Sequence, residues 1–319
     1  MKRVTLVGCG NIGSRHLQAL VKLPFEADIQ IVDPNENSKK LAKSRLNEID
    51  YKKSNFIFSW HTSLDNIQES DFVILATNST NRVELMEKLL EMGNSRFLLE
   101  KIVCQSEFEF EHLLSIINSK NAKAWVNTPR RYFDSYQKIK NKIENNQRIN
   151  LIVNSGNIGL GTNAIHFVDL FFWLTNYEDM ILNGDFLDER LLPNKRGTDL
   201  KEFSGTITGK SSGGSTLSIN FLSYENLQIF VNIFSEKDSL LIDETNEKIY
   251  DLRTQNKSEF KIGYQSTLTT KIAKDILEKD KSLLPTLKES KTTHYELFRI
   301  FNSHIKKITN LEVEKCPIT

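Results

Sequence analysis

At 319 residues the chain is longer than one compact core usually serves, so two domains are expected. A formal charge of +1, from 42 basic and 41 acidic residues, gives no electrostatic grip on nucleic acid or an anionic membrane and points to a small-molecule partner. A hydrophobic content of 39% with 26% charged residues is ordinary for a globular protein. The most apolar stretch, FVDLFFWL at 167–174, falls well short of the roughly 20 residues that cross a bilayer and carries Asp169. Lys2 and Arg3 precede an apolar run that breaks at once into glycines with no small-residue cleavage site, so a cytoplasmic protein is expected. Cys9, Cys104 and Cys316 are odd in number and far apart, and the histidines form no paired ligand motif, so neither a disulfide framework nor a metal site is expected.

In chain order, residues 3–7 read as a short apolar strand, followed by GCGNIG and a helix with Leu17, Leu20 and Val21 on one face. Three glycines between a strand and a helix let a pyrophosphate approach free N–H groups, so Gly8, Gly10, Asn11, Ile12 and Gly13 are candidate phosphate contacts. A second strand, 29–32, ends on Asp33, 20 residues beyond Gly13, where a carboxylate can accept from ribose hydroxyls. That carboxylate repels a 2′-phosphate, and Pro34 and Asn35 supply no arginine to receive one. NAD is therefore expected over NADP, with Lys39 and Lys40 as the features favouring NADP.

Strands at 55–58, 72–76, 96–99 and 122–126 alternate with helices at 35–48, 82–92 and 107–119. Such alternation predicts an α/β fold whose first domain, 1–127, is a doubly wound parallel sheet of the Rossmann kind. Ligands bind at the carboxyl ends of such strands, which makes Thr77, Asn78, Glu100 and Asn127 further cofactor candidates, with Asn78 also a possible helix cap. Beyond 128 the rhythm changes. A helix to about 145, a strand at 149–154, the loop GNIGLG at 156–161 and a helix through 174 lead into strand-like segments at 203–208, 215–221, 227–234, 239–242 and 248–252. Helices near 267–279 and 288–307 close the chain. The second domain, 128–319, is therefore expected to be α+β on a largely antiparallel sheet, whose open face would join a homodimer or homotetramer, with the C-terminal helix packing back on the first domain.

In their order, GCGNIGSRH, ATNSTNR at 76–82, Glu100-Lys101, VNTPRRY at 126–132, NAIHFVD at 163–169 and LPTLKES at 284–290 resemble the Gfo/Idh/MocA oxidoreductases over nearly the whole chain. The resemblance implies an NAD(P)-dependent enzyme acting on a secondary hydroxyl or keto carbon of a sugar, cyclitol or nucleotide sugar. Similarity around NIGLGTNAIH and CPIT points to amino or nucleotide sugars of surface glycans. It assigns Lys101 and His166 as the acid–base residues. A lysine at a strand end beside a nicotinamide is also chemically sensible, because burial and a neighbouring positive ring lower its pKa. Two positions depart from the family. Ile102 replaces the proline after the lysine, and since a cis bond before a non-proline residue costs about 3–4 kcal/mol, a trans Lys101–Ile102 bond is expected. Thr162 replaces an aspartate four residues before the histidine, and a threonine cannot take up a proton at neutral pH. Thr162, Asn163, Arg131 and Arg196 are candidate substrate contacts, Arg130 and Lys195 their neighbours, and Asp169 either orients His166 or forms helix surface. Rival readings are redox-neutral, NAD-assisted glycoside cleavage, a dinucleotide-binding regulator without activity, and an S-adenosylmethionine methyltransferase.

Overall fold

The computed structural model describes residues 1–143, 147–223 and 227–319. These divide into two compact units, the first made of Met1–Cys104, Phe108–Asn127 and Gly263–Glu289 and the second of Gln105–Glu107, Thr128–Ile262 and Ser290–Thr319. Among the described residues no helix is long and apolar enough to cross a membrane.

The first unit is built on β1 (Lys2–Val7), α1 (Gly13–Leu20), β2 (Ala27–Val32), α2 (Glu36–Asn47), β3 (Phe56–His61), β4 (Phe72–Leu75), α3 (Arg82–Glu91), β5 (Arg96–Leu99), α4 (Glu107–Ser119) and β6 (Lys123–Val126). All six strands run parallel in the order β3-β2-β1-β4-β5-β6. The order reverses between β1 and β4, and at such a switch point the first βα loop and the loop after β4 diverge to leave a crevice. Helices cover both faces of such a sheet, so β4 (FVIL) is buried at every residue and reads as a continuous apolar run.

The second unit comprises α5 (Asp134–Lys142), β7 (Ile149–Ser155), α6 (Leu160–Leu174), β8 (Met180–Leu187), β9 (Leu192–Asn194), β10 (Gly197–Glu202), β11 (Gly205–Ser211), β12 (Thr216–Phe221), β13 (Phe230–Ser235), β14 (Ser239–Asp243), β15 (Lys248–Asp251) and β16 (Asn256–Glu259). Eight strands form one sheet in the order β16-β15-β14-β13-β7-β12-β11-β8, antiparallel except for the parallel β7–β12 pair, and β9 and β10 form a separate ribbon. One face, with Leu151, Val153, Ile219 and Val231, is buried, while Asn150, Ile152, Asn154, Asn220, Asn232 and Phe234 alternate with these on the other. The strand-like segments at 203–208 and 215–221 become β11 and β12, which pair antiparallel as a hairpin. The end of the expected helix near 145 lies outside the described residues.

The closing helices depart from expectation. Residues 263–289 pack in the first unit, because α7 (Gln265–Lys279) lays Leu268, Ile272, Ala273 and Ile276 against α1 and β4, and the LPTLKES segment bonds alongside β6 through Val126 N to Pro285 O and Leu287 N to Ala124 O. The last helix, α8 (Lys291–Thr309), instead lies on β8 and α6 in the second unit. Strand β8 also escaped the sequence pattern, since Asn183, Gly184 and Asp185 read as a turn; the chain accommodates them in a register shift opposite Thr206–Thr208.

Candidate active site

At the carboxyl edge of the parallel sheet lies a cavity of about 680 Å³, lined among others by Gly8, Gly10, Asp33, Asn35, Thr77 and Asn78. Gly13 opens α1, and a Cβ there would sit 1.9 Å from the Gly8 carbonyl oxygen, so only glycine permits this close turn. Asp33 is held by two backbone donors, Cys9 N to Oδ2 and Asn35 N to Oδ1, both at 2.8 Å. A carboxylate so fixed keeps free lone pairs for a ribose diol. Lys39 pairs with Glu36 at 2.5 Å. Asn11 and Ile12 are exposed on the loop, with the Asn11 carbonyl accepting from Arg45 Nη1.

Beyond the switch point, Thr77 Oγ1 is a buried hydroxyl with no hydrogen-bond partner among the described residues, and the Asn78 side chain makes no capping bond to the turn it precedes. Both are therefore available to a ligand rather than committed to local structure. Arg82, buried at the start of α3, donates to the carbonyls of Thr77, Glu100 and Ile102 and so ties the ends of β4 and β5 together. The Lys101–Ile102 bond is cis, contrary to the sequence expectation. The carbonyls flanking it both meet the Arg82 guanidinium, a tertiary partner that the local sequence does not reveal. Lys101 itself is 5% exposed. Beside it, burial pushes the Glu100 carboxyl up, but the His16 ring at 3.0 Å and the Asn127 amide outweigh that and hold it below the ordinary value. Asn127 is buried, and its Oδ1 has no partner.

In the second unit His166 is half-buried on α6, one turn after Thr162. Thr162 Oγ1 donates to Glu202 Oε1 at 2.8 Å, and Asn194 Nδ2 reaches the same oxygen at 3.2 Å. The glycine loop makes room for this carboxylate: at Gly159, with φ +79°, a Cβ would lie 1.5 Å from Glu202 Oε2. Asn163 turns back to the Ile158 and Gly159 carbonyls. Arg196 is exposed in the β9–β10 turn next to Lys195. Arg131 is not presented to a substrate. Its guanidinium forks onto Asp169 at 2.6 and 3.0 Å, both side chains being 1% exposed, and Thr128 Oγ1 adds a third bond to that carboxylate. Asp169 thus serves Arg131 rather than His166. Arg130 is likewise committed to Glu244, at 2.7 and 2.9 Å, with the Phe167 ring 4.0 Å from its guanidinium carbon. An arginine pair in sequence reads as a charged loop; only the fold reveals two buried acids waiting for it.

Residues 2–128 match the model of an oxidoreductase family with an NAD-binding Rossmann fold, Gfo/Idh/MocA. Over these residues the chain is similar to that family, which is the one its motifs resemble. The match is to an NAD-binding oxidoreductase domain and ends where the first unit's parallel sheet ends. None of the curated protein sequences matches. Solved structures share the fold. An oxidoreductase from Agrobacterium radiobacter, in complex with NAD+, L-tartaric acid and magnesium, superposes with a TM-score of 0.73 at 14% identity, over 96% of this chain and 97% of that one. For UDP-N-acetylglucosamine 3-dehydrogenase from Acidithiobacillus ferrooxidans the TM-score is 0.71 at 15% identity, over 94% and 96%. The WlbA dehydrogenase from Bordetella pertussis, in complex with NADH and UDP-GlcNAcA, gives 0.69 at 19% identity, over 99% and 98%.

Against the family pattern, the residues of this chain fit a dinucleotide: the glycine turn admits a close ligand, Asp33 is fixed to receive hydroxyls, and Thr77 Oγ1 and Asn127 Oδ1 are buried polar atoms without protein partners. Sequence reasoning missed Arg82 and Glu202. Arg82 stood inside a quoted motif, so its position was legible though its role was not. Nothing in the sequence around Glu202 ties it to Thr162, 40 residues earlier.

Proposed function

We propose that this oxidoreductase moves a hydride between NAD and a secondary hydroxyl or keto carbon of a sugar or cyclitol, with amino or nucleotide sugars as the preferred class. The observation that carries this reading is Lys101: a 5%-exposed lysine directly after β5, on the rim where parallel sheets bind ligands. Bound NAD accepts or returns the hydride; the protein binds, orients and handles the proton. Gly8, Gly10, Asn11, Ile12 and Gly13 hold the pyrophosphate, Asp33 the adenosine ribose, and Thr77, Asn78, Glu100 and Asn127 the nicotinamide half. His166 takes the hydroxyl proton while the Lys101 ammonium stabilises the developing alkoxide, and in reduction the two act in the reverse sense. Thr162, Asn163 and Arg196 bind substrate; Arg131 is withdrawn from that group because Asp169 occupies its guanidinium. The nucleotide-sugar preference is supported by relatives of the same fold named for UDP-N-acetylglucosamine or solved with UDP-GlcNAcA.

Screening sugars, inositols, sugar phosphates and nucleotide sugars for a change at the NADH absorbance band tests the reading. Lys101→Ala should cost at least about 100-fold in kcat on whichever compound turns over, the scale of an acid–base group. Undiminished turnover in that variant would remove Lys101 from the mechanism. We further place the enzyme in the cytoplasm, where its three buried cysteine thiols stay reduced, and assign the open face of the eight-stranded sheet to a subunit interface.

A further inference from the structure

The strand ends of β5 and β6 close a ring of side chains with α1 and α7. His16 Nε2 lies 3.0 Å from Glu100 Oε1, and His16 Nδ1 lies 2.8 Å from Thr269 Oγ1. Gln265 Nε2 donates to Thr269 Oγ1 at 2.6 Å, and Thr269 in turn donates to the Gln265 backbone carbonyl at 3.1 Å. Asn127 Nδ2 completes the ring, donating to Glu100 Oε1 and, at 3.0 Å, to Gln265 Oε1.

Donor and acceptor counts fix the polarity of this ring. Thr269 Oγ1 accepts from Gln265 Nε2, which also lies 3.4 Å from His16 Nδ1, and this leaves Gln265 Oε1 facing Asn127. The Glu100 carboxylate only accepts. Both hydrogens of Asn127 Nδ2 are therefore committed, and flipping that amide would set its oxygen against two other oxygens. The result appears at Asn127 Oδ1, an acceptor that is buried, without a partner, and at the carboxyl end of the last strand of the second nucleotide-binding half. A buried acceptor left unpaired is costly, so a ligand donor is the chemistry that completes it.

We propose that the ring is an orienting device for the nicotinamide: Asn127 Oδ1 accepts from the carboxamide N–H of NAD, and Gln265, anchored on Thr269, is the positioning residue that fixes the Asn127 amide. This rests on the NAD-binding part of the reading above and is independent of the substrate.

The test is calorimetric titration with NAD and with ADP-ribose, which lacks the nicotinamide. Asn127→Leu and Gln265→Leu should each weaken NAD about threefold to tenfold, the scale of one hydrogen bond, and leave ADP-ribose affinity unchanged. ADP-ribose binding reports that each variant has kept its nucleotide site. Should Gln265→Leu not fold, Thr269→Val, which removes the anchor of Gln265 Nε2, must give the same NAD-selective loss. Equal losses for both ligands, unchanged NAD affinity in the variants, or a wild-type chain that binds ADP-ribose as tightly as NAD would each overturn the proposal. A NAD-selective loss in a protein that oxidises no sugar would instead sink the substrate assignment and leave the ring standing.

Discussion

Asp33 and Asp169 are both buried carboxylates, yet their surroundings give them opposite duties. Asp33 is held by the backbone N–H groups of Cys9 and Asn35 and faces a cavity, so its remaining capacity is turned toward a ligand. Asp33→Ala should weaken NAD about ten- to a hundredfold, as loss of a charged hydrogen-bond acceptor does, while NADP loses less because a repulsive charge is also removed. Comparing the two dissociation constants measures that difference. Asp169 is saturated by Arg131 and Thr128 at about 1% exposure. Replacing it by Asn leaves a guanidinium buried without its countercharge and should destabilise the protein by about 3–5 kcal/mol in urea unfolding. Because neither group meets substrate, KM of the folded fraction should stay unchanged.

Among the elements, the start of α6 combines features that the sequence scatters from Gly159 to Glu202. Its glycines, its Thr162 hydroxyl and Glu202 at the end of β10 fit one another sterically and by hydrogen bonding. Thr162→Val removes a hydroxyl donor to Glu202 Oε1 and should lower stability by about 1–3 kcal/mol, read as a fall in the thermal midpoint, with Thr162→Ser recovering most of it. The first unit gathers its rim in a similar way. Arg82 on α3 reaches three carbonyls at the ends of β4 and β5, and α7 supplies Gln265 and Thr269 to β6 from 138 or more residues away in the chain.

At the scale of the whole molecule, the face of the eight-stranded sheet opposite its buried core carries Ile152, Phe230, Phe234 and Leu241 among asparagines and threonines. Phe234→Asp would place a charge on that face and should abolish the subunit association proposed for it, read in size-exclusion chromatography with light scattering. A wild-type protein that is already monomeric would contradict the assignment. The parallel sheet was legible in the sequence because most of its strands are short apolar runs alternating with helices, and because GCGNIG and Asp33 lie at a spacing set by one βαβ unit, a local geometry. His166, Thr162 and Lys101 were readable only as positions in motifs that resemble a known family. The tertiary structure alone decided that Arg131 is an ion-pair partner, that residues 263–289 complete the first unit, that Arg82 spans a cis Lys101–Ile102 bond, and that Glu202 supplies a carboxylate beside Thr162. Each of these joins groups distant in sequence or depends on which side chain the fold desolvates, and neither pairing nor burial leaves a periodic mark along the chain.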